Sequence, residues 1–115
     1  MRRGDIYLID FEPARGSEAN KARPAVIVSN DAANRTVEQN GKGVLTVVPV
    51  TSNTARVFAF QVVLPAAECR LAKDSKAQCE QVRAVSPERV LHRIGSVPRH
   101  RMAELDAALR RHLAL

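Results

Sequence analysis

Aromatic side chains are scarce in this chain: they make up 3% of 115 residues, with one tyrosine, three phenylalanines and no tryptophan. A protein that holds single strands mainly by stacking bases on an aromatic platform needs more of them. Tyr7, Phe11, Phe58 and Phe60 allow only one or two such contacts. Two cysteines, Cys69 and Cys79, are too few for a disulfide framework and are expected as reduced thiols. His92, His100 and His112 are scattered rather than set at ligand spacing, so no metal site is expected. No stretch approaches the ~18 consecutive apolar residues of a membrane span. The apolar run after Met1-Arg2-Arg3-Gly4-Asp5 is too short for a secretory signal, so a cytoplasmic protein is expected.

Positive charge is abundant. Eighteen Lys and Arg against 12 Asp and Glu give a net charge of +6, which favours a polyanionic partner such as nucleic acid, or an acidic protein. An apolar content of 45% over 115 residues predicts one domain, spanning 1–115, with a modest core. No repeat, low-complexity stretch or linker divides it.

Residues 6–9 and 25–29 read as strands separated by a long polar loop, and Asn30 to Asn34 as a turn or short helix. Val44 to Val50 is nearly continuous and β-branched, which predicts a central strand. Phe58 to Leu64 is another strand. Residues 75–82 alternate as a polar strand, Ser86 to Val90 forms a helical turn, and Arg93 to Val97 a last short strand. Ser96 is the expected N-cap of a terminal helix with Pro98 in its first turn. Met102, Leu105, Leu109 and Leu113 form its inward stripe, and Arg99, Arg101, Glu104, Arg110 and Arg111 face outward. The pattern is mainly β with α: a small, strongly bent sheet or SH3-like barrel closed by one helix.

The chemistry concentrates at Arg23-Pro24, where the polar loop enters the second strand. Pro24 biases Arg23 towards extended backbone. A guanidinium is a permanent cation with a fork of donors suited to bidentate contact with a phosphate. Thr51 places a hydroxyl just past the end of the central strand. Loop composition alone favours Arg23 as a solvated residue at a strand start.

Taken in order, Arg3-Gly4-Asp5-Ile6-Tyr7, Gly16-Ser17-Glu18, Arg23-Pro24-Ala25-Val26, Val48-Pro49-Val50-Thr51-Ser52 and Glu80-Gln81-Val82-Arg83, with Leu105-Asp106 and Leu109, resemble the MazF/PemK family of toxin endoribonucleases. The resemblance covers essentially the whole chain. It implies the MazF/CcdB-type fold, a homodimer, and metal-independent cleavage of single-stranded RNA with no cofactor. It also implies growth inhibition and a cognate acidic MazE-like antitoxin, whose flexible tail blocks the RNA groove and whose complex with the toxin binds DNA. Carried over by position, Arg23 and Thr51 are the catalytic pair and Glu18 lies in the active-site loop. Ser17, Asn20, Lys21, Ser52, Asn53, Phe58, Ser75, Glu80 and Gln81 are the expected RNA contacts. Lys21-Ala22 departs from the family, whose members often carry glycine, an aromatic or histidine there. The segment between Asn53 and Phe58 is also variable among them. On chemical grounds either Arg23 or Glu18 is the general base, because an arginine with pKa above ~12 accepts protons poorly. Two other classes fit the same fold: a CcdB-like gyrase-binding toxin, which would not use Arg23, and a non-catalytic RNA-binding module.

Overall fold

The computed structural model describes all 115 residues. Seven strands and three helices follow in the order β1 (Asp5–Asp10), β2 (Ala22–Ile27), α1 (Asp31–Asn40), β3 (Leu45–Thr51), β4 (Gln61–Leu64), α2 (Ala66–Cys69), β5 (Ser75–Gln78), β6 (Arg83–Val85), β7 (Val90–Ser96) and α3 (Arg99–Leu113). The strands form one antiparallel sheet, ordered β4-β5-β3-β2-β1-β7, with β6 also paired to β3. The end strands β4 and β7 do not pair, so the mainly β fold expected is present with its sheet not closed. The four residues of β4 pair with β5 alone, and α3 packs against β4.

The two continuous apolar runs are explained by burial on both faces of the sheet. Along β2 and β3, Val26, Val48 and Val50 point into one cluster with Ile6, Val62, Leu64 and Leu105. Their neighbours Ala25, Ile27, Leu45 and Val47 point into the opposite cluster with Ile9, Phe11, Val37 and Val85. The first face is covered by α3 through Leu105 and Ala108, with Met102 and Leu109 at its margin. Leu113 does not join this stripe and is 49% exposed. Cys69 and Cys79 are free and buried in the first cluster. Burial, with Glu80 beside it, pushes the Cys79 thiol up to about 12, which makes it a poor nucleophile.

Two prolines shape the sheet. The amide of Val28 donates to the Thr46 carbonyl (2.9 Å). Backbone groups alternate edges along a strand, so Val26 and Pro24 also face β3, where Pro24 has no N–H to offer. The β2–β3 ladder accordingly stops at Ala25↔Pro49. By the same alternation Pro49 faces the opposite edge of β3, where proline would ordinarily break a central strand. There the ladder is already interrupted. From Val50↔Ala77 to Val47↔Arg83, β3 advances three residues while its partner advances six. Strands β5 and β6 are thus one broken strand carrying three extra residues, the 3-10 turn Cys79–Gln81.

Four local expectations change. The strand expected over 58–64 begins only at Gln61, so Phe58 lies outside it. Residues 75–82 do not continue as a strand, because that turn intervenes after Gln78. The turn after β2 is a ten-residue helix: the Asn30 side chain accepts from Ala33 N, and Gly41, at φ 67°, donates to the Val37 carbonyl. Ser96 ends β7, and Pro98 occupies the N-cap of α3 without a side-chain cap. Its carbonyl accepts from Arg101 N and Met102 N (both 3.0 Å).

Candidate functional site

Beyond Ala25↔Pro49 the register would set Arg23 opposite Thr51 and Pro24 opposite Val50. The ladder ends at Pro24, and the two strand ends border a cleft of about 330 Å³. Lys21, Arg23 and Pro24 line one side, Thr51 and Ser52 the next, and the segment Leu71–Lys73 with Ser75 the far wall. No carboxylate lines it. Arg23, Lys21 and Lys73 take part in none of the ion pairs of the molecule.

Arg23 is aimed by its own loop. Its Nε donates to the Asn20 carbonyl and an Nη2 hydrogen to Asn20 Oδ1, both at 2.8 Å. A guanidinium has five N–H donors, so three stay free for a ligand. The loop is held at Lys21, whose φ of 62° is unusual for a side-chain-bearing residue. The Lys21 amide donates to Glu12 Oε1 (2.6 Å) and its carbonyl accepts from Phe11 N (2.9 Å). Thr51 Oγ1 accepts from Asn53 N (3.2 Å), which leaves the hydroxyl hydrogen to donate. Ser75 is buried and donates its hydroxyl to the Lys73 carbonyl (2.9 Å), fixing the far wall.

The remaining expected residues lie elsewhere. Glu18, Glu80 and Gln81 line a second cleft of about 280 Å³, with Ala19, Val82 and Arg83. Gln81 grips the loop there: Oε1 accepts from Ala19 N (3.1 Å) and Nε2 donates to the Ser17 carbonyl (2.8 Å). The exposed Glu18 carboxylate accepts from Arg15 N (2.7 Å) and is not part of the Arg23 cleft. Glu80 Oε2 accepts from Gln61 Nε2 (2.7 Å), whereas Glu80 Oε1 is buried with no partner. Asn53 and Phe58 belong to the segment between β3 and β4, lining neither cleft. Asn53 Oδ1 accepts from Ala55 N (3.3 Å). Phe58 stacks on Phe60, with ring centroids 5.3 Å apart, and the Arg56 guanidinium lies 5.1 Å from the Phe58 centroid. Lys76, buried on β5, donates to the Arg56 carbonyl and ties this segment to the sheet. Lys73 was not singled out in the sequence. It carries no motif, and only the turn after α2 brings it to the cleft.

The arrangement offers a bidentate cation and a hydroxyl donor in one open cleft, with base-sized polar surface in a second. Residues 2–113 match the family of PemK-like, MazF-like toxins of type II toxin–antitoxin systems. The chain is 56% identical to the endoribonuclease MazF9 of Mycobacterium tuberculosis (strain ATCC 25618 / H37Rv) over 115 residues, covering 100% of this chain and 98% of that protein. The crystal structure of MazF from Deinococcus radiodurans superposes with a TM-score of 0.83 at 26% identity, covering 100% of this chain and 97% of the other. An endoribonuclease from a mycobacterial species, solved in complex with its cognate antitoxin, shares the fold with a TM-score of 0.78 at 23% identity, over 100% and 96% of the two chains. A shared fold, a match along nearly the whole sequence and the Arg23–Thr51 cleft agree: the chain belongs to the PemK-like, MazF-like family of type II toxins.

Proposed function

We propose that this toxin is a sequence-specific endoribonuclease that cleaves single-stranded RNA at the cleft between Arg23 and Thr51. The observation that carries the reading is that these two residues line one cleft where the β2–β3 pairing ends, with cations and no carboxylate beside them. RNA supplies its own nucleophile. The 2′-oxygen bonds to phosphorus, the bond to the 5′-oxygen breaks, and the proton lost by the first oxygen is balanced by the one the second gains. The products are a 2′,3′-cyclic phosphate and a 5′-hydroxyl, with no other reactant needed. The protein must align the attack and stabilise charge on the phosphoryl oxygens. Free Arg23 donors do the second bidentately, and the Thr51 hydroxyl adds one hydrogen bond. Glu18 stands outside this cleft, so it is assigned to the loop and to RNA contact rather than to proton abstraction. Glu80 and Gln81, which line the second cleft, offer polar side chains to the edge of a base. The CcdB-like reading leaves the Arg23 cleft without a task, and a non-catalytic module would hold phosphate there without cutting it.

Incubation with a long RNA in EDTA is the test. Cleavage with new 5′-hydroxyl ends supports the reading, and binding without cleavage rejects it. In the same assay Thr51→Val, which keeps the branched shape, should fold normally and turn over about tenfold more slowly, the net weight of one neutral hydrogen bond. Unchanged turnover would reduce Thr51 to a strand-end residue.

The same charge supports an acidic antitoxin as partner of a homodimeric toxin. A +6 surface with an anion-lined ligand as substrate also attracts an extended acidic tail. Inhibition by that tail should compete with RNA and weaken as salt rises. An acidic protein encoded beside the gene that fails to protect RNA at excess would contradict this.

A further inference from the structure

We infer that Lys73 is a second phosphate contact, holding the linkage next to the scissile one and setting RNA affinity rather than the chemical step. The inference rests on the reading of the Arg23–Thr51 cleft given above. Arg23 and Thr51 come from the ends of β2 and β3, whereas Lys73 comes from the facing wall. An RNA backbone with its scissile phosphate at Arg23 therefore runs on between the walls and meets a cation on the other side.

Three features keep that cation available. Its carbonyl is pinned by the buried Ser75 hydroxyl, so the residue has a fixed base even though its side chain is exposed. The adjacent carboxylate, Asp74, is turned away to accept from Ala66 N (2.8 Å) at the start of α2 and does not neutralise it. Lys73 has no ion-pair partner anywhere in the molecule. A lysine is a mobile point charge, suited to a phosphate whose position varies with base sequence but not to a bidentate transition-state contact. Such a contact positions the backbone and reads no base.

The test uses the full-length protein and an RNA carrying a cleavage site mapped for it. Lys73→Ala should raise KM about fivefold with kcat kept, equally at every cleaved sequence. It should also flatten the slope of log affinity against log salt by about 0.7, the value for one phosphate on a single strand. Lys42→Ala, a loss of equal charge outside both clefts, should alter neither. Substrates bearing an uncharged methylphosphonate before or after the scissile linkage complete the test. On one of them Lys73→Ala should add no further loss. An effect that persists on both substrates, or an unchanged KM and salt slope, overturns the inference. If Arg23→Ala is inactive in the same series, only the role of Lys73 falls. If Arg23→Ala cleaves normally, the reading of the cleft falls and this inference with it.

Discussion

Replacing Arg23 with alanine is expected to slow RNA cleavage at least a hundredfold while leaving the melting temperature unchanged. The loss reflects about 3 kcal/mol of transition-state stabilisation, the usual weight of a preorganised charged donor at a reacting oxyanion. The fold should be indifferent. Arg23 lies on the cleft, its side chain bonds only Asn20 in its own loop, and β1 keeps its pairing with β2 through the backbone. Arg23→Lys should fall nearly as far, since an ammonium cannot hold Asn20 and present a fork to phosphate together. Near-normal cleavage by a folded Arg23→Ala protein would remove the activity from this site.

The largest effect on stability is expected at Gly95. A methyl group there would lie 2.1 Å from the Cys69 carbonyl oxygen and 3.0 Å from the Arg70 Cβ. Gly95 pairs with Ile6 in the sheet, and Cys69 ends α2, so both sides of the contact are backbone with little room to yield. Gly95→Ala should cost about 3 kcal/mol or more, near the top of the range for overpacking, and lower the melting temperature by roughly 10–15 °C. Ser96→Ala, at the exposed next residue, should change little. A Gly95→Ala protein melting within about 2 °C of the parent would show that α2 can step away freely.

The sheet was more legible than the site. The apolar run at 25–28 and the nearly continuous one at 45–50 announce strands buried on both faces, and the leucine spacing announces α3. The first helix was not legible at full length, because only Asn34 and Val37 of its ten residues are buried and no apolar stripe marks it. It is secured by its caps and by Asn34, whose amide donates to the Ser29 carbonyl (2.9 Å) and accepts from the Ser29 hydroxyl. The polar alternation of 75–82 looked like one strand because a 3-10 turn leaves no mark in hydropathy. Motif order named the candidate site residues. It did not divide them between two clefts, since that division depends on where Pro24 ends a ladder and where the extra residues of 79–81 project.

Surface segments usually tolerate changes of length. The turn at 79–81 does not share that freedom, because its length is the offset between two ladders on a single strand. One residue more or fewer would shift every β6 pairing by one and swing Val85 from the buried cluster towards water. Pro49, whose missing N–H is harmless only opposite that interruption, depends on the same offset. Glu80 and Gln81, which sit in that turn, can exchange side chains without disturbing the frame, but the turn cannot change length. Length variation is left to the stretch between β3 and β4, where the chain owes no register to a neighbour from Ser52 to Phe60.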